Sequence, residues 1–396
     1  MDLSTVFECI DQKELTETVG SLIRIPSHLE VPDQEKEVSA FVAQALNSCG
    51  IAVEEQEVTE GRKNVIAKIG GNGAGKSLTL NGHIDTVPPG EGMKQPYVPE
   101  IRDGRLYGRG SCDMKGAVGA MMYVLRLIKE RGISLEGDLF FTAVVGEETG
   151  GTGTRYLTEH GFRTDFAVVG EPTDLKIVTS HKGVCNIKVT VRGRSCHGSV
   201  PEQGSNAIVA VSDIIQEIKK QLLPKLKKRT QEHVGSATMN FGMVEGGTKI
   251  NMVADRCTLQ IDRRWIEGET LDMVKSEVED IAKSVCDRDD GLSSEVQIVL
   301  PEGAYFGPLL VPGDHEFTKT VTAALKENGM QISFAGMQGW TDAATLFHSG
   351  VPVVVLGPGS IRQAHTDDEY VEVGHLVDAV KCYLSIINEV CGMSEG

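Results

Sequence analysis

The sequence predicts an α/β protein, a domain with a mostly parallel sheet and helices on both faces, into which a smaller α+β domain is inserted. Three observations lead there. Short apolar runs such as DLFFTAVV (138–145), DFAVV (165–169) and VPVVVLG (351–357) alternate with helical stretches, the pattern of parallel strands covered on both faces. Near Val178 the rhythm changes: NIKVTVRG (186–193) alternates apolar and polar residues, as a half-exposed antiparallel strand does. The length of 396 residues exceeds what one ordinary core organises, so two domains are expected.

In chain order, residues 3–50 read as helical, with Phe41, Val42, Ala45 and Leu46 three and four apart and Gly50 as a stop. NVIAKIG (64–70) and SLTLNGHIDTV (77–87) read as strands, Ala117 to Arg131 as a helix closed by Gly132, and Thr152 as a helix start. Beyond Val178 a helix is expected from Ala207 to Leu223, then strands at MNFGMVEG (239–246) and RCTLQIDRRW (256–265), a helix from Leu271 to Val285, and a strand at EVQIVL (295–300). With NIKVTVRG in front, this is a βαββαβ order, the ferredoxin-like arrangement of a small open sheet with helices on one face. The expected domains are therefore 1–179 with 308–396, and an insertion at 180–307.

Composition narrows the function classes. A formal net charge of −17 argues against a general nucleic-acid binder, which needs a basic face. No basic start joins an apolar run near the N-terminus and no apolar stretch reaches spanning length, so the expectation is a cytoplasmic protein with no membrane partner. Nine cysteines without a CxxC pair read as reduced thiols packed as small apolar groups. The basic run KKQLLPKLKKR (219–229) reads as a solvated helix end with its lysines outward. Residues 70–77, GGNGAGKS, satisfy a phosphate-loop pattern, but SLTLNGHI after them is strand-like. A phosphate loop must open a helix, so the segment reads as a glycine-rich hairpin loop without a nucleotide.

The chemistry lies at the strand ends, where open α/β sheets gather their ligands. NGHIDTVP (81–88), GRGSCDMKG (108–116), VVGEETGG (144–151), VVGEPTD (168–174) and GPGSIRQAHTDDEYV (357–371) each bring metal-binding side chains to such a position. His83, Asp113, the pair Glu147 and Glu148, Glu171 and His365 supply what a two-metal hydrolase needs, including a carboxylate shared between cations roughly 3.5–4 Å apart. Adjacent glutamates on an extended segment point differently, so one can ligate while the other serves as base. His83 and Asp85, two apart, point the same way; a ligating histidine usually gives its second N–H to a carboxylate, and Asp85 is the natural partner. Cys112 and Cys196 adjoin Asp113 and His197, but the surrounding metal-type ligands account for the Cys112 segment better than a thiol nucleophile does.

These segments, in this order and spacing over nearly the whole chain, resemble the metal-dependent family of acetylornithine deacetylase, succinyl-diaminopimelate desuccinylase, aminoacylase and glutamate carboxypeptidase. The resemblance implies two zinc ions per subunit, with Co2+ or Mn2+ as substitutes. Asp113 would bridge them, Glu148 and His365 would hold one, His83 and Glu171 the other, and Glu147 would be the general base. A cis peptide bond between Asp113 and Met114 is implied too. The insertion resembles a lid and dimerisation domain, which implies a homodimer in which His197 of GRSCHGSVP (193–201) reaches the neighbouring subunit's site. Asn251 in KINMV and Arg264 in IDRRW would hold the substrate and its carboxylate, Arg264 rather than Arg263 by the family's spacing from Asp262. The implied reaction is hydrolysis of a linear amide in an N-acyl amino acid. A dipeptidase or carboxypeptidase is the alternative, and a catalytically inactive binding relative the distant one.

Overall fold

In the computed structural model, which describes residues 1–301 and 303–395, the apolar runs become the centre of one sheet. Leu78–His83, Leu139–Val144, Phe166–Val169 and Val353–Val355 pair in parallel. Arg62–Ile69 and Ala52–Thr59 continue the sheet antiparallel beyond Leu139–Val144. Alternate residues of one strand serve opposite faces. Leu139, Phe141 and Ala143 join the large core built with Val118, Met121 and Leu125 of the helix Lys115–Glu130. Phe140 and Val144 pack on the other side with Leu157 of the helix Thr152–Glu159. Both faces are thus covered, which is why these strands read as unbroken apolar runs.

The chain forms two compact units, Met1–Thr179, Val311–Ala335 and Thr341–Gly396 as the first, and Ser180–Leu310 with Gly336–Trp340 as the second. Leu309–Leu310 joins the second because it pairs with Ser180 and His181, and Gly336–Trp340 because Gln338 donates to the carbonyl of Val234 at 3.1 Å. Glu302 and Gly396, included in the expected domain ranges, lie outside the described residues. The second unit holds an antiparallel sheet in the order Thr238–Gly246, Arg256–Trp265, Gly183–Arg192, Ser293–Val299. Cys185, Ile187, Val189 and Val191 on its inner face pack with Val211 and Ile214 of the helix Ala207–Glu217 and with Val274 and Val278 of the helix Leu271–Cys286. This is the expected ferredoxin-like arrangement.

Three local expectations need correction. The stretch 3–50 is three helices, Ser4–Phe7, Gln12–Ile23 and Lys36–Ser48; the Asp11 side chain caps the second by accepting from the N–H groups of Lys13 and Glu14, and Pro26 and Pro32 interrupt the next connection. The helix from Ala207 loses regularity in a π-helical turn at Ile218–Leu222, just ahead of Pro224, whose ring cannot accompany an unbroken ladder. Its lysines do face outward, while Arg229 pairs with Glu269 and Glu277. The glycine-rich segment 70–77 opens no helix, but neither does it close a hairpin. Arg62–Ile69 and Leu78–His83 lie on opposite sides of Leu139–Val144, and the loop crosses that strand's start, where Gly71 donates to Asp138 Oδ1 at 2.9 Å. No described helix is long and apolar enough to cross a membrane.

Candidate metal centre

All seven candidate residues of the first unit converge beyond the carboxyl ends of the parallel strands. His83 ends Leu78–His83, Glu147 and Glu148 lie in the turn between Leu139–Val144 and Thr152–Glu159, and Glu171 follows Phe166–Val169. Asp113 precedes the helix Lys115–Glu130, and its peptide bond to Met114 is cis. The Met114 side chain lies beneath the ligand-bearing turns: a Cβ at Gly82 or at Gly170 would come within 2.9 Å of Met114 Cε. The glycines of NGH and VGE therefore make room for the residue that follows Asp113. His365 sits in a loop with a left-handed φ of 63°, an uncommon conformation outside glycine.

Asp113 stands at the middle. Its Oδ1 is 3.0 Å from His83 Nε2, and its Oδ2 is 3.3 Å from His365 Nε2. Glu148 Oε1 lies 3.1 Å from His365 Nε2, on one side; Glu171 Oε1 lies 3.8 Å from His83 Nε2, on the other. Donor atoms of His83, Asp113 and Glu148, and of His83, Glu147 and Glu171, gather within 4.8 Å of one another. His83 Nδ1 faces the main-chain carbonyl of Asp85 at 2.9 Å. A carbonyl only accepts, so Nδ1 donates there. Against burial, hydrogen bonds to Asp113 and Asp85 hold the imidazole well above its ordinary value, so in the metal-free protein Nε2 also carries a proton, towards Asp113.

The electrostatics follow from packing four carboxylates around two imidazoles. Burial, reinforced by neighbouring carboxylates, holds Glu147 and Glu171 well above the usual glutamate range; burial and Asp113 raise Glu148. For Asp113, burial is overridden by hydrogen bonds from His365 and His83, and its carboxyl is held below the ordinary value. Hydrogen bonds to Asp113 and Glu148 push His365 up to about 10. Imidazole and carboxylate donors with an excess of negative charge fit divalent cations of the zinc, cobalt or manganese kind. Cys112 contributes no donor. It is fully buried, its Sγ points to the Ser360 carbonyl at 3.3 Å, and burial keeps it a thiol.

The Asp85 carboxylate reaches more than the histidine. Oδ1 accepts the N–H of Glu147 at 3.1 Å and Oδ2 that of Glu148 at 3.0 Å, while Oδ1 is 3.5 Å from His83 Nδ1. Its carbonyl and one carboxylate oxygen both face the histidine nitrogen, and the carboxylate also holds the glutamate turn. Two buried carboxylates close to the candidate ligands escaped the sequence reading. Asp342 accepts from Thr154 at 2.8 Å while its Oδ1 has no partner among the described residues, and burial pushes it up to about 7. Glu369 lies behind Asp113 and accepts its N–H at 3.0 Å. A charge next to an apolar helix start, or inside the triplet Asp367-Asp368-Glu369, was the only signal either gave.

With this geometry in place, comparison with known proteins is decisive at the family level. Residues 79–389 match the profile of peptidase family M20/M25/M40. The chain belongs to this family. Acetylornithine deacetylase of Proteus mirabilis is 32% identical, over 89% of this chain and 89% of that one. N-formyl-4-amino-5-aminomethyl-2-methylpyrimidine deformylase of Bacillus subtilis is 28% identical, over 96% and 95%. Among solved structures, aminopeptidase PepT from Bacillus cereus matches with a TM-score of 0.82 at 23% identity, over 96% of this chain and 99% of that one. A dinuclear metal-binding M20 peptidase from Bacillus subtilis matches at 0.73 and 18%, over 95% and 97%. The M20/M25/M40 chain is thus a hydrolase on the α/β fold expected, with an inserted domain.

The remaining candidates of this M20/M25/M40 protein lie in the second unit. His197 is exposed, with Nδ1 2.7 Å from Ser199 Oγ. Its segment lies against Asn251, whose carbonyl accepts the Gly198 N–H at 2.9 Å. Arg264, half-buried on Arg256–Trp265, holds Asp262 through Nε at 2.8 Å and Nη2 at 3.0 Å. Arg263 is fully buried against Glu269, so of the two arginines only Arg264 is accessible.

Proposed function

We propose that the protein is a cytoplasmic, dinuclear metal-dependent amidohydrolase that cleaves the amide C–N bond of an N-acyl amino acid, with zinc as its metal and cobalt or manganese as substitutes. One observation carries the reading: the two oxygens of Asp113 are divided between two histidines, each with its own glutamate. Asp113 would bridge a pair of cations, one held by Glu148 and His365, the other by His83 and Glu171. Bound there, the cations supply polarisation of the amide carbonyl and a water acidified towards neutrality.

The chain's own residues do the rest. Glu147, held on the Asp85 carboxylate, takes the proton of the attacking water and returns it to the departing nitrogen. His197 donates to the developing oxyanion, a contact of roughly 3 kcal/mol in such sites. Asn251 and Arg264 hold the substrate; the Arg264 nitrogen outside the Asp262 pair, Nη1, is the donor available to its carboxylate. A homodimer joined through the second unit is supported by its exposed apolar residues Ile208, Val209, Met243 and Val244 on a helix and the edge strand.

The second reading, a dipeptidase or carboxypeptidase, uses the same residues. A panel of N-acetyl, N-succinyl and dipeptide substrates assayed with added zinc or cobalt separates the two. Turnover of the N-acyl compounds above the dipeptides is expected, and the reverse order selects the peptidase. Asp113→Ala should lose both metals. Retention of two tightly bound zinc ions in that variant sinks the dinuclear assignment.

A further inference from the structure

A buried carboxylate outside the candidate ligand set ties together the segments that carry Asp113 and His365. Tyr370–Glu372 pairs antiparallel with Arg105–Tyr107, Tyr370 opposite Tyr107. The ladder therefore delivers Glu369 beside Gly108, whose N–H donates to its carbonyl at 3.2 Å. The Glu369 side chain is 1% exposed and turns into the loop ahead of the Lys115–Glu130 helix. Its Oε1 accepts the N–H groups of Cys112 at 2.9 Å and Asp113 at 3.0 Å. Its Oε2 accepts the Gly110 N–H at 3.0 Å and Nη1 of Arg109 at 2.5 Å. Four donors fill the acceptor capacity of one carboxylate, and Arg109, 2% exposed, balances its charge.

A buried ion pair is by itself weak support for stability, since apolar side chains of equal volume commonly do as well. What marks this pair is where it holds the chain. One donor is the N–H of Asp113 itself. Four residues before Glu369 is His365, whose Nε2 lies 3.3 Å from Asp113 Oδ2. The two ligand-bearing segments touch through Glu369 directly behind the place where their ligands meet.

We propose that Glu369, held by Arg109, is a positioning residue that sets the separation of the Asp113 carboxylate and the His365 imidazole, and through it the affinity of the cation those two would share with Glu148. The inference rests on the two-metal reading above. Glutamine at 369 keeps the size but puts an NH2 group against donors, so two of the four anchors are lost. Carboxylates that orient metal ligands in this way are typically worth 10- to 100-fold in affinity.

The test is a cobalt(II) titration of metal-free wild type, Glu369→Gln and Glu369→Asp, followed by stoichiometry and by the visible absorption of the bound ion. Wild type should take up two ions. Glu369→Gln should bind one as wild type does and the other 10- to 100-fold more weakly, with an altered cobalt spectrum; Glu369→Asp, which keeps the charge and shortens the reach, should fall between. If wild type binds fewer than two ions, the two-metal reading fails and this inference with it. If wild type binds two and Glu369→Gln matches it in both affinities and spectrum, the positioning role is overturned while the reading stands. A lowered unfolding midpoint with both affinities and the spectrum intact assigns Glu369 to folding alone and also overturns it. Should Glu369→Gln not fold, Glu369→Asp carries the same comparison.

Discussion

Asp85 and Glu147 are joined through the backbone: the N–H of Glu147 donates to Asp85 Oδ1 at 3.1 Å, and the next N–H, of Glu148, to Oδ2 at 3.0 Å. One carboxylate thus fixes the turn from which the proposed base and a proposed ligand project, while its own carbonyl holds His83 Nδ1 at 2.9 Å. Asp85→Asn keeps the carbonyl contact but sets an NH2 group against one of the two N–H donors. Turnover should fall by about 10- to 100-fold with metal content at the His83 side retained. Metal analysis beside steady-state kinetics checks this, and loss of the metal with turnover would assign Asp85 to the histidine instead.

Glu147 and its neighbour should separate. Glu147→Gln removes a base and no ligand, so two metals should remain while kcat falls by a factor of about 100 or more. Glu148→Gln should weaken the cation on the His365 side, since Glu148 Oε1 is 3.1 Å from His365 Nε2. Donor atoms of Glu147 also lie within 4.8 Å of those of His83 and Glu171, which makes the comparison a sharp one. Equal metal loss in the two variants would make both glutamates ligands.

Much of this site was legible because its residues sit at the ends of short apolar runs, where period and boundary mark the strand and the next polar side chain is its product. His83, Glu148 and Glu171 are of that kind. Glu369 was not, because Asp367 and Asp368 beside it are exposed and only the ladder between Tyr370–Glu372 and Arg105–Tyr107 turns it inward. Asp342 follows the capping Thr341 and reads locally as an ordinary first-turn acid; its burial comes from the fold around it. The 70–77 loop failed for a related reason. Local sequence identifies two strands but not the third that comes between them, since sheet neighbours are chosen by distant segments.

Asp342 should leave a pH signature in the metal-free protein. Its folded value is raised to about 7 from an ordinary 3.8, so the unfolded chain releases this proton first. Its contribution to stability is full below the ordinary value and is lost as pH climbs through about 7. Asp342→Asn removes that dependence while an amide oxygen can still accept from Thr154. The variant should therefore gain on wild type by roughly 2–4 kcal/mol between acid and mildly alkaline pH, read from denaturant unfolding with chelator present. A difference that does not change with pH would place the Asp342 proton elsewhere.

Assembly provides the last test. His197 lies on the second unit, exposed at the end of a turn built on the Asn251 carbonyl, far in sequence from every proposed ligand. The proposal is that it serves the site of the neighbouring subunit in a two-fold homodimer. The helix Ala207–Glu217 and the edge strand Thr238–Gly246 offer a surface for that dimer, with Val209 55% and Met243 59% exposed. If each site is completed in trans, Glu147→Gln subunits and His197→Ala subunits are separately inactive but complementary. A mixed dimer then contains one site with both defects and one with neither. Activity should reappear after subunit exchange and approach a quarter of the wild-type level in an equal mixture, since about half the dimers are mixed and each has one intact site of two. Sedimentation or light scattering establishes the dimer, and mass spectrometry verifies the exchange. Background activity in verified mixed dimers means that His197 does not act across the interface, and a fully active monomer would be equally fatal to the proposal.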